Sequence, residues 1–123
     1  MKRTILVIED NEQNMYLCSY ILTSRGYGVV QARSGRDGIA SALEHQPDLI
    51  ILDIQLPEMD GYAVARELKG NPETKSIPVV AVTSYAMMGD RERILAAGCE
   101  GYMEKPINPE TFMGEIENHL PAH

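Results

Sequence analysis

Five times along this chain a strand-like run gives way to a stretch of helical periodicity, and that alternation confines the fold more tightly than any other feature. The runs are Thr4 to Ile8, Gly28 to Ala32, Leu49 to Leu52, Val79 to Val82 and roughly Gly101 to Glu104. The first, third and fourth are continuously apolar, as strands of a parallel sheet covered on both faces are; the second and fifth are more polar, as edges tend to be. Between them, Met15, Cys18, Ile21 and Leu22 share a helical face after the cap residue Asn11 and before Gly26. Ser34 with Asp37 opens a second helix with face Ile39, Ala42 and Leu43, ended by Pro47. Tyr62, Ala65 and Leu68 mark a third, ended by Gly70 and Pro72; Arg91 to Ala97 belong to a fourth, stopped by Gly98. Asn108 and Pro109 open the fifth, with Phe112, Ile116 and Leu120 spaced four apart. Such a chain is expected to form one doubly wound α/β domain, a (βα)5 unit with a five-stranded parallel sheet and helices on both faces.

In sheets of this kind ligands bind outside the carboxyl ends of the strands. The stretch DLIILDIQLPEMDG, residues 48 to 61, ends its apolar run directly on Asp53 and continues through Pro57 to the turn signal Asp60-Gly61. A carboxylate adjoining a dry strand costs free energy unless something pairs with it. The other strand exits supply candidates: Glu9 and Asp10 after the first, Thr83 and Ser84 after the fourth, Lys105 and Pro106 after the fifth. Like charges about 4 Å apart repel by roughly 4 kcal/mol at an effective dielectric near 20. Lys105 alone leaves three carboxylates about two charges short of neutral, and a hard, oxygen-only site of this kind suits Mg2+. A carboxylate beside a metal, a lysine and a hydroxyl can attack phosphorus and form an aspartyl phosphate, with the cations neutralising the transferred oxygens.

Blander readings hold for other residues. Asp37, Asp60 and Asp90 are read as helix caps or solvated turn residues. Cys18 and Cys99 form no CxxC pair and are expected to be reduced packing residues. His45, His119 and His123 lack metal-ligand spacing with Cys or with one another. A net charge of -7 argues against nucleic acid or an anionic membrane as partner. No apolar run approaches the ~20 residues of a membrane span, and the opening MKRTILVIED is too short for a signal peptide, so a cytoplasmic chain is expected.

ILVIEDN, DLIILDIQLPEMDG, IPVVAVTSYA and GCEGYMEKPI occur in this order, and with them the chain resembles a response-regulator receiver domain over nearly its whole length. Among receivers it is similar to stand-alone ones of the DivK cell-cycle type. The resemblance implies a flavodoxin- or CheY-like fold with strand order 2-1-3-4-5, one receiver domain over residues 1–123 with a core at about 4–120. It implies that Asp53 accepts a phosphoryl group from a histidine kinase or histidine phosphotransfer protein, in a two-component system or phosphorelay, and so switches binding of a downstream protein. Asp10 and Asp53 would bind Mg2+ directly and Glu9 through water, with the backbone carbonyl of Gln55 as a further ligand. Thr83 and Lys105 would contact the phosphoryl group, Tyr102 would be the aromatic switch, and the Lys105-Pro106 bond would be cis. Such a protein is a signalling element rather than an enzyme, catalysing only its own phosphoryl transfer and slow hydrolysis.

The first acid pair is Glu-Asp rather than Asp-Asp, leaving the direct ligand Asp10 intact. Tyr85, two residues beyond Thr83, would either shield the phosphoryl group from water or pack on its loop. A phosphatase of the haloacid-dehalogenase type would need a second Asp where Gln55 stands. A binding module that is never phosphorylated need not keep all five polar positions. GYGVVQ lacks the third glycine of a dinucleotide loop and precedes a strand.

Overall fold

The computed structural model describes residues 3–84 and 88–121. Along the chain the elements are β1 (Thr4–Ile8), α1 (Glu12–Ser24), β2 (Gly28–Ala32), α2 (Gly35–His45) and β3 (Leu49–Asp53). Then come α3 (Gly61–Gly70), β4 (Val79–Thr83), α4 (Met88–Ala96), β5 (Gly101–Glu104) and α5 (Pro109–His119). The strands form one parallel sheet in the order β2-β1-β3-β4-β5, so the two more polar runs are indeed its edges.

Strand alternation divides the core in two. Leu6, Ile8, Ile50, Leu52, Val79 and Ala81 face α2, α3 and α4 and pack on Ala42, Val64, Leu68 and Ile94. Ile5, Val7, Leu49, Ile51, Val80 and Val82 face α1 and α5 and meet Met15, Leu22, Phe112 and Ile116. Each such aliphatic side chain removed from water contributes about 1.5–3 kcal/mol, which is why β3 and β4 carry no polar residue before their last position and β1 none after Thr4. Cys18 and Cys99 are free and buried within these layers, and burial pushes their thiols up to about 12 and about 11.

Helix starts follow the anticipated caps. Asn11 Oδ1 accepts from Asn14 N–H at 2.9 Å, Ser34 Oγ from Asp37 N–H at 3.2 Å, and Asn108 Oδ1 from Glu110 N–H at 3.0 Å. Gly26 (φ 89°) and Gly98 (φ 99°) follow α1 and α4 in the left-handed region. At the end of α2 it is Gln46 (φ 47°), before Pro47, that takes this conformation and donates its N–H to Ala42 O at 3.0 Å. Of the two readings of Asp60, helix cap or turn residue, the structure bears out the cap. Asp60 caps α3, accepting from Ala63 N–H at 2.9 Å, and the chain reverses at Glu58 (φ 64°), across which Met59 N–H reaches Pro57 O at 2.7 Å. An Asp before a helical face satisfies an orphan amide, and that use wins over the Asp-Gly turn propensity.

Two glycines let helices approach the sheet closely. A Cβ on Gly38 would collide with the Ile8 side chain. One on Gly61, the first residue of α3, would lie 2.5 Å from Ile54 Cα and 2.7 Å from Asp53 O.

Candidate functional site: the carboxylate cluster at the sheet edge

Strand register brings the chemistry together. Ile8 is level with Leu52, so Glu9 and Asp53 leave adjacent strands side by side. Asp53 is level with Val82 and Thr83 with Glu104, so Thr83 and Lys105 complete the row. β3 and β4 each run one residue beyond their apolar runs, because backbone pairing continues after the side chain turns polar. Asp53 and Thr83 are therefore strand residues, 2% and 1% exposed.

Lys105 Nζ lies 3.3 Å from Asp53 Oδ2 and 3.4 Å from Glu9 Oε1. Asn11 N–H donates to Glu9 Oε2 at 3.1 Å, and Gln55 N–H to Asp53 Oδ1 at 2.9 Å. One carboxylate oxygen from each of Glu9, Asp10 and Asp53 falls within 4.8 Å of the others. Asp10 is exposed, whereas Glu9 and Asp53 are buried. Desolvation, then the hydrogen bond and charge of Asp53, push the Glu9 carboxyl up to about 7; the Asn11 amide and Lys105 oppose this without cancelling it. The site is thus under-compensated by its own residues, as the sequence suggested.

That donor set fits a divalent cation. It is all oxygen, it carries more negative charge than Lys105 balances, and its members converge while one of them stays open to solvent.

Gln55, two residues beyond Asp53 and noted in the sequence for lacking the second Asp of a phosphatase, makes side-chain bonds that the sequence did not foretell. Its Nε2 donates to Thr83 Oγ1 at 3.2 Å, and its Oε1 accepts from Ser84 N–H at 3.2 Å. Beside this amide is a cleft of about 340 Å³ lined by Ile54, Leu56, Tyr62, Thr83 and Arg93, among others. Two arginines of α4 were also missed: Arg93 lies over the Tyr62 ring at 4.1 Å and Arg91 over the Tyr102 ring at 5.3 Å. Spacing could have hinted at this only if the helix's angular position were already known. Tyr102, level with Ala81 in β5, stands apart from the carboxylates and packs half-buried on the α4 side of the core. The Lys105-Pro106 bond is cis. Tyr85 and His123 lie outside the described residues. His45 and His119 fall in the last turns of α2 and α5.

Comparison with known proteins is consistent in fold and family. The profile of the response regulator receiver domain matches residues 5–117. The polar-differentiation response regulator DivK of Brucella ovis is 45% identical over 98% of each chain, and that of Brucella anthropi is 44% identical over the same share. Chemotaxis protein CheY4 of Vibrio cholerae superposes with a TM-score of 0.93 at 27% identity, covering 98% of this chain and 100% of that one. The receiver domain of a Pseudomonas aeruginosa sensor histidine kinase, solved with a magnesium ion coordinated in its active-site cleft, superposes with a TM-score of 0.89 at 32% identity over 97% of this chain and 98% of its own. With its profile matched over residues 5–117 and relatives 45% identical over nearly the whole chain, the chain belongs to the response regulator receiver domain family, the signalling receivers of two-component systems.

Proposed function

We propose that the chain acts as a single receiver unit over residues 1–123, with a core at about 4–120, and that Asp53 is its phosphoacceptor. The observation that carries this reading is a carboxylate only 2% exposed, ending a strand buried on both faces, with Lys105 Nζ at 3.3 Å from Oδ2. Burial without charge neutrality is unfavourable for folding, so its placement is explained by chemistry rather than by stability.

An Asp53 oxygen attacks the phosphorus of a phosphohistidine on a histidine kinase or histidine phosphotransfer protein. The O–P bond forms, the P–N bond breaks, and its electron pair stays on the imidazole ring. Glu9, Asp10, Asp53 and the Gln55 carbonyl would hold Mg2+, which when bound supplies positive charge beside the transferred oxygens. Lys105 neutralises a second side of the phosphoryl group, and the Thr83 hydroxyl donates a hydrogen bond to it. Asn11 N–H and Lys105 hold the Glu9 carboxylate in place. Slow hydrolysis of the aspartyl phosphate resets the protein. Movement of Thr83 toward the phosphoryl group, with an inward turn of Tyr102, reshapes the face of α4, β5 and α5 that a downstream protein reads.

Incubation with Mg2+ and acetyl phosphate tests the assignment. Intact mass should show one added phosphoryl group, stable in acid and lost in base, and Asp53→Asn should show none. Undiminished labelling of Asp53→Asn sinks the assignment.

A further inference from the structure

The Gln55 residue touches both sides of the site. Its backbone N–H holds Asp53 Oδ1 at 2.9 Å, while its side-chain amide gives a hydrogen to Thr83 Oγ1 and takes one from Ser84 N–H, each at 3.2 Å. Donor and acceptor of one planar amide are thus both spent on consecutive residues at the exit of β4. The phosphoacceptor loop and the β4 exit are tied across the cleft that lies between them.

We infer that the Gln55 side-chain amide is a latch that holds Thr83 and Ser84 in the resting arrangement and sets how strongly a phosphoryl group must pull to release them. This rests on Asp53 being the phosphoacceptor. A phosphoryl group presents three strongly accepting, charged oxygens, and a hydrogen bond to a charged acceptor is about twice as strong as one to a neutral amide carbonyl. The Ser84 N–H therefore exchanges Gln55 Oε1 for a phosphoryl oxygen, and Thr83 moves as the amide lets go. Gln55 forms no bond to the transferred group in this scheme; it is a positioning residue. Its strength biases the two arrangements before any phosphoryl group arrives, because a ligand shifts an equilibrium only by its differential contacts.

Gln55→Met keeps side-chain length and removes both hydrogen bonds; Gln55→Ala removes them without filling the cleft. In metal-free protein, either change should speed amide hydrogen exchange at Ser84 by roughly tenfold, the equivalent of a modest hydrogen bond. With Mg2+ present, the free variants should show Thr83 and Ser84 amide shifts displaced toward the wild-type beryllofluoride-bound positions. The beryllofluoride concentration for half-saturation should fall by roughly tenfold. Unchanged affinity and undisplaced shifts in both folded variants overturn the latch, even if the urea midpoint moves, since that is what a merely structural bond would give. Binding by wild type but not by Asp53→Asn keeps the phosphoacceptor assignment intact in that event. No binding by wild type overturns both.

Discussion

Lys105 and Lys69 make an instructive pair, one at each end of the sheet. Their side chains are almost equally sheltered, at 16% and 15% exposed, so burial does not distinguish them. Their partners do. Lys69, near the end of α3, donates to Ile77 O at 2.7 Å, Lys75 O at 3.1 Å and Glu100 Oε2 at 2.9 Å. Glu100 Oε1 in turn accepts from Val79 N–H at 2.7 Å, where β4 begins. One cation, one carboxylate and a set of backbone groups close on each other at good distances, and the result staples α3, β4 and the turn before β5. Lys105 instead faces two carboxylates at 3.3 and 3.4 Å, with the exposed carboxylate of Asp10 in the same cluster. The same residue types build a settled joint at one end and an unsettled, negatively charged mouth at the other. A polar cluster whose charges close holds the fold together; one whose charges do not close is a candidate ligand site.

The largest effect that could break this contrast is on metal affinity. Asp10→Ala should weaken Mg2+ binding about a hundredfold, near 3 kcal/mol, while leaving the metal-free protein no less stable because repulsion is relieved. Calorimetric titration showing unchanged affinity would remove Asp10 from the ligand set. Next, Lys69→Met should lower unfolding free energy by about 2 kcal/mol through the orphaned carbonyls and the freed Glu100, with Mg2+ affinity unaltered. A coupled loss of Mg2+ affinity in that variant would mean the two ends are not independent.

The third effect, smallest when read per pH unit, is the sharpest electrostatic test. Because the Glu9 carboxyl is raised from 4.5 to about 7 in the fold, the native state binds more protons than the unfolded chain between those values. Metal-free stability should be fully present near the lower value and fall as pH rises through the upper one, by at most about 1.4 kcal/mol per pH unit. Urea unfolding followed from about pH 4.5 to about pH 8 should show this slope in wild type and lose it in Glu9→Gln. A slope that persists in Glu9→Gln assigns the proton elsewhere.

The sheet was legible because its central strands are covered on both faces, which leaves an unbroken apolar run for the eye to find. Helix starts at Asn11, Ser34 and Asn108 were legible because a cap acts within three residues of itself. The site was legible as a row because Asp53 and Thr83 end their strands, Glu9 and Lys105 directly follow theirs and Asp10 comes one residue later, and parallel register does the rest. What stayed hidden depends on approach between distant segments. The bond of the Gln55 side-chain amide to Thr83 cannot be read locally, because Thr83 is 28 positions later. Lys69 and Glu100 sit 31 positions apart with nothing local to couple them. Asp60 is a cap, one of the two readings it had, whereas the left-handed residue at Glu58 carries no local signal.

The close seat of Gly61 has a mechanical consequence. Its missing Cβ brings the start of α3 against the Ile54 backbone and the Asp53 carbonyl, and Gly61 N–H is fastened to Ile54 O at 3.0 Å. The start of α3 is therefore seated mainly backbone on backbone beside Asp53, with Ile54 Cδ1 the one side-chain atom among the three nearest contacts. A vice with one jaw bolted down delivers all of its travel to the other. On the proposed phosphorylation of Asp53, displacement is expected on the β4 side rather than against the fixed start of α3.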